Sequence, residues 1–251
     1  MAGSLAFLDW TFHSWPEILD RATQLIQEVT VTSDLTIAEQ VAEHHGASAG
    51  RLTADVAEAF AAEQRDLAVA GLPSVAAGAG DRMPDGNLLD VAGQPTSLAE
   101  ALGSRPGVIV FYRGGWCPYC DIALRTYQAQ LVPALADRGI PLVAVSPQTP
   151  DGSLSTKETK ELTFTVLSDP GNQIAGQLGI LTAPSDGARA AQLQLGLDLT
   201  KVNADGTTAL PMPTVIVVDA SGVIRWIDVH RDYTSRTEPD QVLQAITQTI
   251  G

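Results

Sequence analysis

Residues 108–120 have the sequence Val-Ile-Val-Phe-Tyr-Arg-Gly-Gly-Trp-Cys-Pro-Tyr-Cys, in which an apolar run precedes two glycines and two cysteines. The apolar run predicts a buried strand, the glycines permit a sharp turn, and the residues from Asp121 onward predict a helix. Cys117 is therefore expected at the helix N-terminus, where the helix dipole and free backbone N–H groups favour a thiolate. Cys120, one turn further on, can attack an oxidised Cys117 and close an internal disulfide. The pair predicts a redox-active dithiol, with Cys117 the more acidic and more exposed thiol.

Other uses of the two cysteines are less favoured by the sequence. A structural disulfide across so small a loop would remove little entropy from the unfolded chain. A zinc site needs about four ligands, and the four histidines of the chain are scattered. Two inert core thiols would seldom follow two glycines and a tryptophan at a strand-to-helix turn. No glycine-rich phosphate loop follows a strand, so the sequence gives no sign of a nucleotide cofactor. We therefore expect neither a metal nor another cofactor.

Composition limits the partners of the chain. Its 251 residues carry a formal net charge of −14, which argues against nucleic acid or an anionic membrane as a partner. Residues 1–9 make a poor signal peptide because they lack a basic start and their apolar run is short. No run approaches the roughly 20 apolar residues of a membrane span. The sequence therefore predicts a cytoplasmic protein.

Residues 1–71 are predicted to form an N-terminal helical extension. Helices are expected over residues 16–31, 35–45 and 53–70. The last is the clearest, because Thr53 can cap it and good helix formers surround an apolar face. Residues 74–85 are rich in alanine and glycine and predict a linker or surface loop.

From residue 88 onward, predicted strands alternate with predicted helices. A short hairpin is expected near residues 88–93. Buried strands are expected over residues 107–112, 141–146, 164–167, 214–219 and 223–227. Helical turns or helices are expected over 97–102, from 121 to Gly139, near 155–162, over 172–178, within 184–203 and after 237. This order predicts an α/β fold with a mixed central sheet and helices on both faces. The dithiol would then lie at the carboxyl end of a central strand, where ligands collect in such sheets.

Two segments resemble the thioredoxin superfamily. Residues 116–120 are similar to its Trp-Cys-x-x-Cys motif, and Met212-Pro213-Thr214, which precedes a strand, resembles its cis-proline loop. The resemblance therefore implies a thioredoxin-like fold.

The order of elements more closely resembles the peroxiredoxin-like branch, often described as alkyl hydroperoxide reductase/thiol-specific antioxidant. Residues 111–120, 143–146 and 167–169 look like that branch. The similarity covers residues 72–251 and leaves residues 1–71 outside the shared fold. It implies a thioredoxin-dependent type of peroxidase, in which Cys117 attacks a hydroperoxide and becomes a sulfenic acid that Cys120 resolves. Thioredoxin or a low-molecular-weight thiol would recycle the enzyme, and the protein could form a homodimer.

The chain departs from the peroxiredoxin motif Pro-x-x-x-Thr/Ser-x-x-Cys. Counted back from Cys117, the Thr/Ser position holds Gly114 and the proline position holds Val110. The distant arginine of the family falls at Pro213. Only the nucleophile carries over in this alignment.

Other groups are therefore expected to bind the substrate. They are Arg113, Gly115, Trp116, Pro213 and Thr214. Arg113 supplies positive charge, the backbone N–H groups of Gly115 and Trp116 can bind peroxide oxygens, and the proline loop can present a backbone edge to a disulfide-bearing partner. The polar run His230-Arg231-Asp232-Tyr233 can assist the site or form a solvated loop.

Two other functions fit the same residues. Pro118-Tyr119 matches the Cys-Pro-Tyr-Cys of glutaredoxins, which favours a thiol–disulfide oxidoreductase acting on protein or glutathione-type disulfides. The third function is a redox-sensing interaction protein whose dithiol switches without turnover.

Overall fold

The computed structural model describes residues 35–48, 50–71 and 77–250. The helix predicted over residues 16–31 lies outside these ranges. Within them the structure confirms the predicted mixed sheet with helices on both faces.

The strands form one large sheet and one small one. They are β1 (Leu88–Leu89), β2 (Pro95–Thr96), β3 (Gly107–Phe111), β4 (Leu142–Ser146), β5 (Thr165–Ser168), β6 (Leu181–Thr182), β7 (Leu210–Pro211), β8 (Thr214–Val218) and β9 (Ile224–Val229). The large sheet has the order β2-β1-β5-β4-β3-β8-β9, and β6 pairs with β7 outside it. β3 runs parallel to β4 and antiparallel to β8, so it lies in the middle of the sheet.

The helices surround this sheet. They are α1 (Ile37–Ser48), α2 (Ala54–Ala70), α3 (Leu98–Leu102), α4 (Pro118–Thr126), α5 (Val132–Ala136), α6 (Pro150–Thr159), α7 (Gln173–Leu178), α8 (Asp186–Gln194), α9 (Leu199–Val202) and α10 (Pro239–Thr249), with a π-helical turn over Tyr127–Leu131 between α4 and α5. The predicted helical insertion at residues 184–203 corresponds to α8 and α9. No helix in the described part of the chain is long and apolar enough to cross a membrane.

Every residue of β3, β4 and β8 is buried, because the sheet has a hydrophobic core on each face. Alternate residues of β3 point to opposite cores. Val108 and Val110 pack with α1, α4, α5 and α10, whereas Ile109 and Phe111 pack with α3 and α7. Both cysteines belong to the first of these cores.

The helix that follows the cysteines is not continuous. The sequence predicts one helix ending at Gly139, but the last helical residue is Ala136, and Gly139, with φ +66°, lies in the turn that follows. Between α4 and α5, however, the chain widens into the π-helical turn. Pro133, which lies in the first turn of α5, has no N–H to donate to the preceding turn, and the wider turn accommodates it.

The described N-terminal helices pack on the sheet domain. Ile37 of α1 belongs to the core that holds both cysteines. The N–H groups of Ile37 and Ala38 donate to the Glu238 carboxylate, each at 2.9 Å, and Gln40 donates to Thr126 Oγ1 at 3.0 Å. α1 is therefore anchored to α4 and to the start of α10.

We predict that Ile37→Ala lowers the free energy of unfolding by about 2–5 kcal/mol, because it leaves a cavity in the core beside the site. Ile37 is 1% exposed. The control is Val69→Ala on α2, where the side chain is 90% exposed and the loss should stay within about 0.5 kcal/mol. Denaturant unfolding measures both. Equal, small losses in the two variants would show that α1 is not part of the folded core.

Candidate active site: a buried dithiol beside two arginines

The two cysteines lie where β3 ends and α4 begins. Cys117 is the N-cap residue of α4, and the N–H groups of Cys120 and Asp121 donate to its carbonyl oxygen, each at 3.0 Å. Both cysteines are free thiols. Cys117 is 1% exposed and Cys120 is 0% exposed, so both thiols are buried, and exposure does not distinguish Cys117 as the prediction supposed.

A buried guanidinium contacts the second cysteine. Arg236, in the loop between β9 and α10, donates from Nη2 to Cys120 Sγ at 3.2 Å. Its Nη1 donates to the carbonyl oxygens of Tyr233 and Ser235 at 2.5 and 2.6 Å, which fixes the guanidinium in place. The sequence analysis missed Arg236 because it lies 116 residues from Cys120 along the chain.

The two thiols differ in acidity, in the order opposite to the prediction. Burial raises the pKa of Cys120, but the hydrogen bond with Cys117 and the charges of Arg236 and Arg113 lower it by more, so the net pKa lies well below its usual value. Burial and the hydrogen bond to Cys120 raise the pKa of Cys117 well above its usual value. The Cys117 side chain makes no capping hydrogen bond to α4, so the N-terminus of the helix does not stabilise its thiolate as expected. The geometry therefore places the negative charge on Cys120, with Cys117 as the hydrogen-bond donor.

The loop that carries Arg236 is held by a polar network. His230 lies 2.8 Å from Ser235 Oγ through Nδ1 and 2.9 Å from Asp228 Oδ2 through Nε2. Thr237 donates to the same Asp228 oxygen at 2.8 Å, and Tyr127 donates to the Thr237 carbonyl oxygen at 2.7 Å. The hydrogen bond with His230 lowers the pKa of Asp228. His230 thus helps to position the loop.

Arg113 is enclosed by aromatic rings. Its guanidinium carbon lies 5.1 Å from the centre of the Trp116 ring and 4.1 Å from that of Tyr233. Gly114 permits this arrangement, since its φ is +153° and a Cβ there would lie 2.3 Å from Trp116 Nε1. The fold therefore brings two of the predicted residues, Arg113 and Trp116, into contact. The charge of Arg113 acts on the neighbouring dithiol.

Gly115 does not offer the free backbone amide that was expected. Its N–H donates to Gln148 Oε1 at 2.9 Å, and Gln148 Nε2 donates in turn to Thr156 Oγ1 at 2.9 Å and Tyr112 Oη at 3.3 Å. A buried glutamine already accepts from this amide, so the structure gives no support to the prediction that it binds peroxide. Burial raises the pKa of Tyr112 to about 12, so its hydroxyl stays protonated.

Pro213 and Thr214 line a cleft beside Cys120, but not as a cis-proline loop. No peptide bond in the described ranges is cis. The chain enters β8 already extended, because β7 is paired with β6 and the N–H of Met212 donates to the Ile180 carbonyl oxygen at 2.7 Å. Cys120, Arg236 and His230 also line this cleft.

The remaining members of the polar run 230–233 have separate places. Asp232 accepts hydrogen bonds from Thr234 N and Oγ1, both at 2.8 Å, as in a solvated turn. Arg231 donates to the carbonyl oxygen of Gly71. Together with Tyr233, Arg231 lines a second cleft rather than the one that contains Cys120. The described residues contain no group of three or more side chains that could hold a metal ion.

Comparisons with known proteins bear on the fold that carries this site. A peroxiredoxin named bcp from Haemophilus influenzae is 32% identical over 104 residues, covering 40% of this chain and 64% of the relative. Peroxidoxin BcpB from Mycobacterium tuberculosis has a TM-score of 0.52 at 19% identity, covering 68% of this chain and 97% of the other. Reduced Prx3 from Vibrio vulnificus, solved in complex with hydrogen peroxide, has a TM-score of 0.55 at 16% identity, covering 68% and 99%. At these identities, the solved structures show the fold.

The sequence profile of the AhpC/TSA family matches residues 79–227, which include both cysteines. The match ends before Arg236, so the contact between that residue and Cys120 lies partly outside the shared region. Since the matched residues make up more than half of the chain and the sheet has the thioredoxin-like architecture, the protein belongs to the AhpC/TSA family.

Proposed function

We propose that the protein is a thiol-dependent peroxidase that reduces hydrogen peroxide or organic hydroperoxides through Cys117 and Cys120. The observation that carries this proposal is the hydrogen bond from Arg236 to Cys120 Sγ at one wall of the cleft. A peroxidase needs a thiolate at neutral pH, and a buried guanidinium in contact with the sulfur stabilises the thiolate form. Family membership and the peroxiredoxin relative support the same chemistry.

The order of the two cysteines is the reverse of the sequence prediction. Counted back from Cys120, the Thr/Ser position of the peroxiredoxin motif holds Cys117, and the proline position holds Arg113. Cys117 can therefore donate a hydrogen bond to the thiolate, as the hydroxyl would, through its thiol. Cys120 takes the role of nucleophile, and Arg236 and Arg113 supply the positive charge that Pro213 cannot.

In the first step, the Cys120 thiolate attacks the terminal oxygen of the hydroperoxide. A sulfur–oxygen bond forms, the oxygen–oxygen bond breaks, and the leaving oxygen takes a proton and departs as water or an alcohol. Arg236 stabilises the charge that develops on the oxygens because it already lies beside the sulfur. Cys117 then attacks the sulfenic acid, which yields an internal disulfide and releases water.

Recycling of the disulfide requires two electrons from an external thiol. We assign this role to thioredoxin or a low-molecular-weight thiol, in a cytoplasmic setting where such reductants are present. All the groups named for this cycle come from one chain. The cycle therefore does not require a second chain, and it is compatible with a homodimer.

We predict that Cys117→Ser retains fast oxidation by one equivalent of hydrogen peroxide and stops at a sulfenic acid on Cys120. The serine hydroxyl can still donate to the thiolate, but it cannot form the disulfide. Cys120→Ser should react only at the rate of a free thiol. Stopped-flow emission of the adjacent Trp116 measures the rate of oxidation, and trapping with a dimedone-type reagent locates the sulfenic acid. Fast oxidation of Cys120→Ser together with slow oxidation of Cys117→Ser would show that Cys117 is the nucleophile.

The wild-type rate decides between functions. A peroxidase must outrun free cysteine, compared at equal thiolate fraction, by orders of magnitude. If it does not, while insulin or a mixed disulfide is reduced efficiently, the peroxidase proposal fails and thiol–disulfide exchange remains. A dithiol that is oxidised reversibly without turnover of either substrate would instead indicate a redox sensor.

We also predict that Arg236→Met makes the site less reactive in mild acid. Removing the guanidinium raises the pKa of Cys120, so a smaller fraction is thiolate, and the peroxide rate at pH 6 should fall by about tenfold or more. The rate should recover towards the wild-type value as pH rises, because the thiolate then forms without help. Thiolate absorbance recorded against pH provides an independent reading. An exposed control, Arg65→Gln, should leave both unchanged, and a pH profile of Arg236→Met identical to the wild type would disprove the assignment.

A further inference from the structure

A second cleft, open to solvent, lies beside the first and shares Pro213 with it. We call it the α2 cleft, since Glu63 and Leu67 of α2 form one wall. Arg113 and Arg231 also line it. Neither cysteine lines this cleft, and of its charged groups only Arg113 has a part in the proposed chemistry of the dithiol.

Three buried polar atoms of the α2 cleft lack a hydrogen-bond partner among the described residues. They are Arg113 Nε, Arg231 Nε and Glu63 Oε2. Arg113 is 5% exposed and Glu63 is 6% exposed. Glu63 Oε1 accepts from the N–H of Ser185 at 2.8 Å, which fixes the carboxylate. The Tyr233 hydroxyl lies near the same carboxylate, but Oε2 makes no hydrogen bond in this arrangement. Leaving buried polar groups unpaired is costly, so three around one cleft indicate a ligand that pairs with them.

The charges of these groups define the ligand. Neither arginine forms an ion pair with a described carboxylate, and planar guanidinium groups bind carboxylates well. The unused Glu63 oxygen accepts from an ammonium or amide N–H. A ligand that meets both needs within one small cleft carries an α-carboxylate next to an α-ammonium group. Because the whole chain has a net charge of −14, this local pair of cations is also what would retain an anionic group.

The position of the α2 cleft indicates why such a ligand would bind. Pro213 separates it from the cleft lined by Cys120, so a group held beside Arg113 and Arg231 can extend a side chain towards the dithiol. We propose that the α2 cleft binds the reductant, and that the reductant is a small thiol with free α-amino and α-carboxylate groups. This assignment rests on the proposed function, since a reductant is needed only for turnover.

The reduction balances as two thiol–disulfide exchanges. A first small-molecule thiolate attacks Cys117 sulfur, a mixed disulfide forms, and the Cys117–Cys120 bond breaks. Cys120 leaves as a thiolate beside Arg236, which makes it the better leaving group. A second small thiol attacks the sulfur of the first, Cys117 departs and takes up a proton, and the small disulfide is released. The two electrons gained by the enzyme come from the two thiols.

Binding can be tested apart from chemistry. S-methylglutathione has the α-amino and α-carboxylate groups but no reactive thiol, and calorimetric titration into the reduced protein should show saturable binding. Its diethyl ester should bind at least tenfold more weakly. Arg231→Gln and Glu63→Gln should each weaken binding by about tenfold, and Glu63→Gln keeps an oxygen for Ser185. The matched control is Arg65→Gln, which removes the same charge from an exposed position on α2.

Turnover provides the second measurement. With glutathione as reductant, Arg231→Gln should raise the thiol KM about tenfold and leave the single-turnover rate with hydrogen peroxide unchanged. Equal binding of the ester, or no effect of either cleft variant on binding, overturns the assignment of the α2 cleft. If peroxide oxidation is fast but only thioredoxin supports turnover, the cleft assignment fails and the peroxidase function stands. If the analogue binds as described but peroxide oxidation is no faster than that of free cysteine, the proposed function fails instead.

Discussion

The contact between Arg236 and Cys120 is the constraint on which the site depends. Both groups lie inside the hydrophobic core, where a lone guanidinium or a lone thiolate would be strongly disfavoured. Each charge therefore requires the other: removing the thiolate leaves Arg236 uncompensated, and removing Arg236 raises the pKa of Cys120. The same contact explains why Cys120 is the more acidic thiol although it is buried, against the usual effect of burial on a thiol.

The rest of the chain holds these two groups at the right distance. β3 and the first turn of α4 fix Cys120, whereas Arg236 comes from the loop after β9 and is held by the network around His230. Two residues later, Glu238 forms the capping box of α10 and accepts from the first two N–H groups of α1. The C-terminal loop therefore connects the N-terminal helices to the dithiol. Substitutions in this loop should therefore alter the position of Arg236 even where the substituted residue contacts neither sulfur.

The sequence predicts the fold well because the fold depends on local patterns. Runs such as residues 142–145 are apolar throughout and become strands covered on both faces, and Gly139 forms the turn that follows its helix. The two cysteines also carry a clear local signal through their spacing. The acidity of each does not follow from that spacing, because it is set by Arg236, and only the folded sheet brings Arg236 to Cys120.

Other errors have the same origin. Gly115 has a free N–H in any local description of the turn, and only the tertiary fold places Gln148 against it. Pro213 precedes a strand, as in the cis-proline loop, but its peptide bond is trans, and no local pattern distinguishes the two forms. The π-helical turn has a clearer local signal, since Pro133 inside a predicted helix indicates a break. Predictions from local pattern therefore succeed for elements and fail for contacts between distant segments.

The same electrostatics act on the oxidised protein. Disulfide formation removes the negative charge, and Arg236 is then left buried beside neutral sulfur, with Arg113 close by. A reduced state that is stabilised by charge makes its disulfide easier to reduce. An incoming thiolate would restore negative charge beside both arginines as it breaks the disulfide. The arginines that favour the Cys120 thiolate for attack on peroxide thus also favour its release when the disulfide is reduced, so one arrangement of charge assists both halves of the proposed cycle.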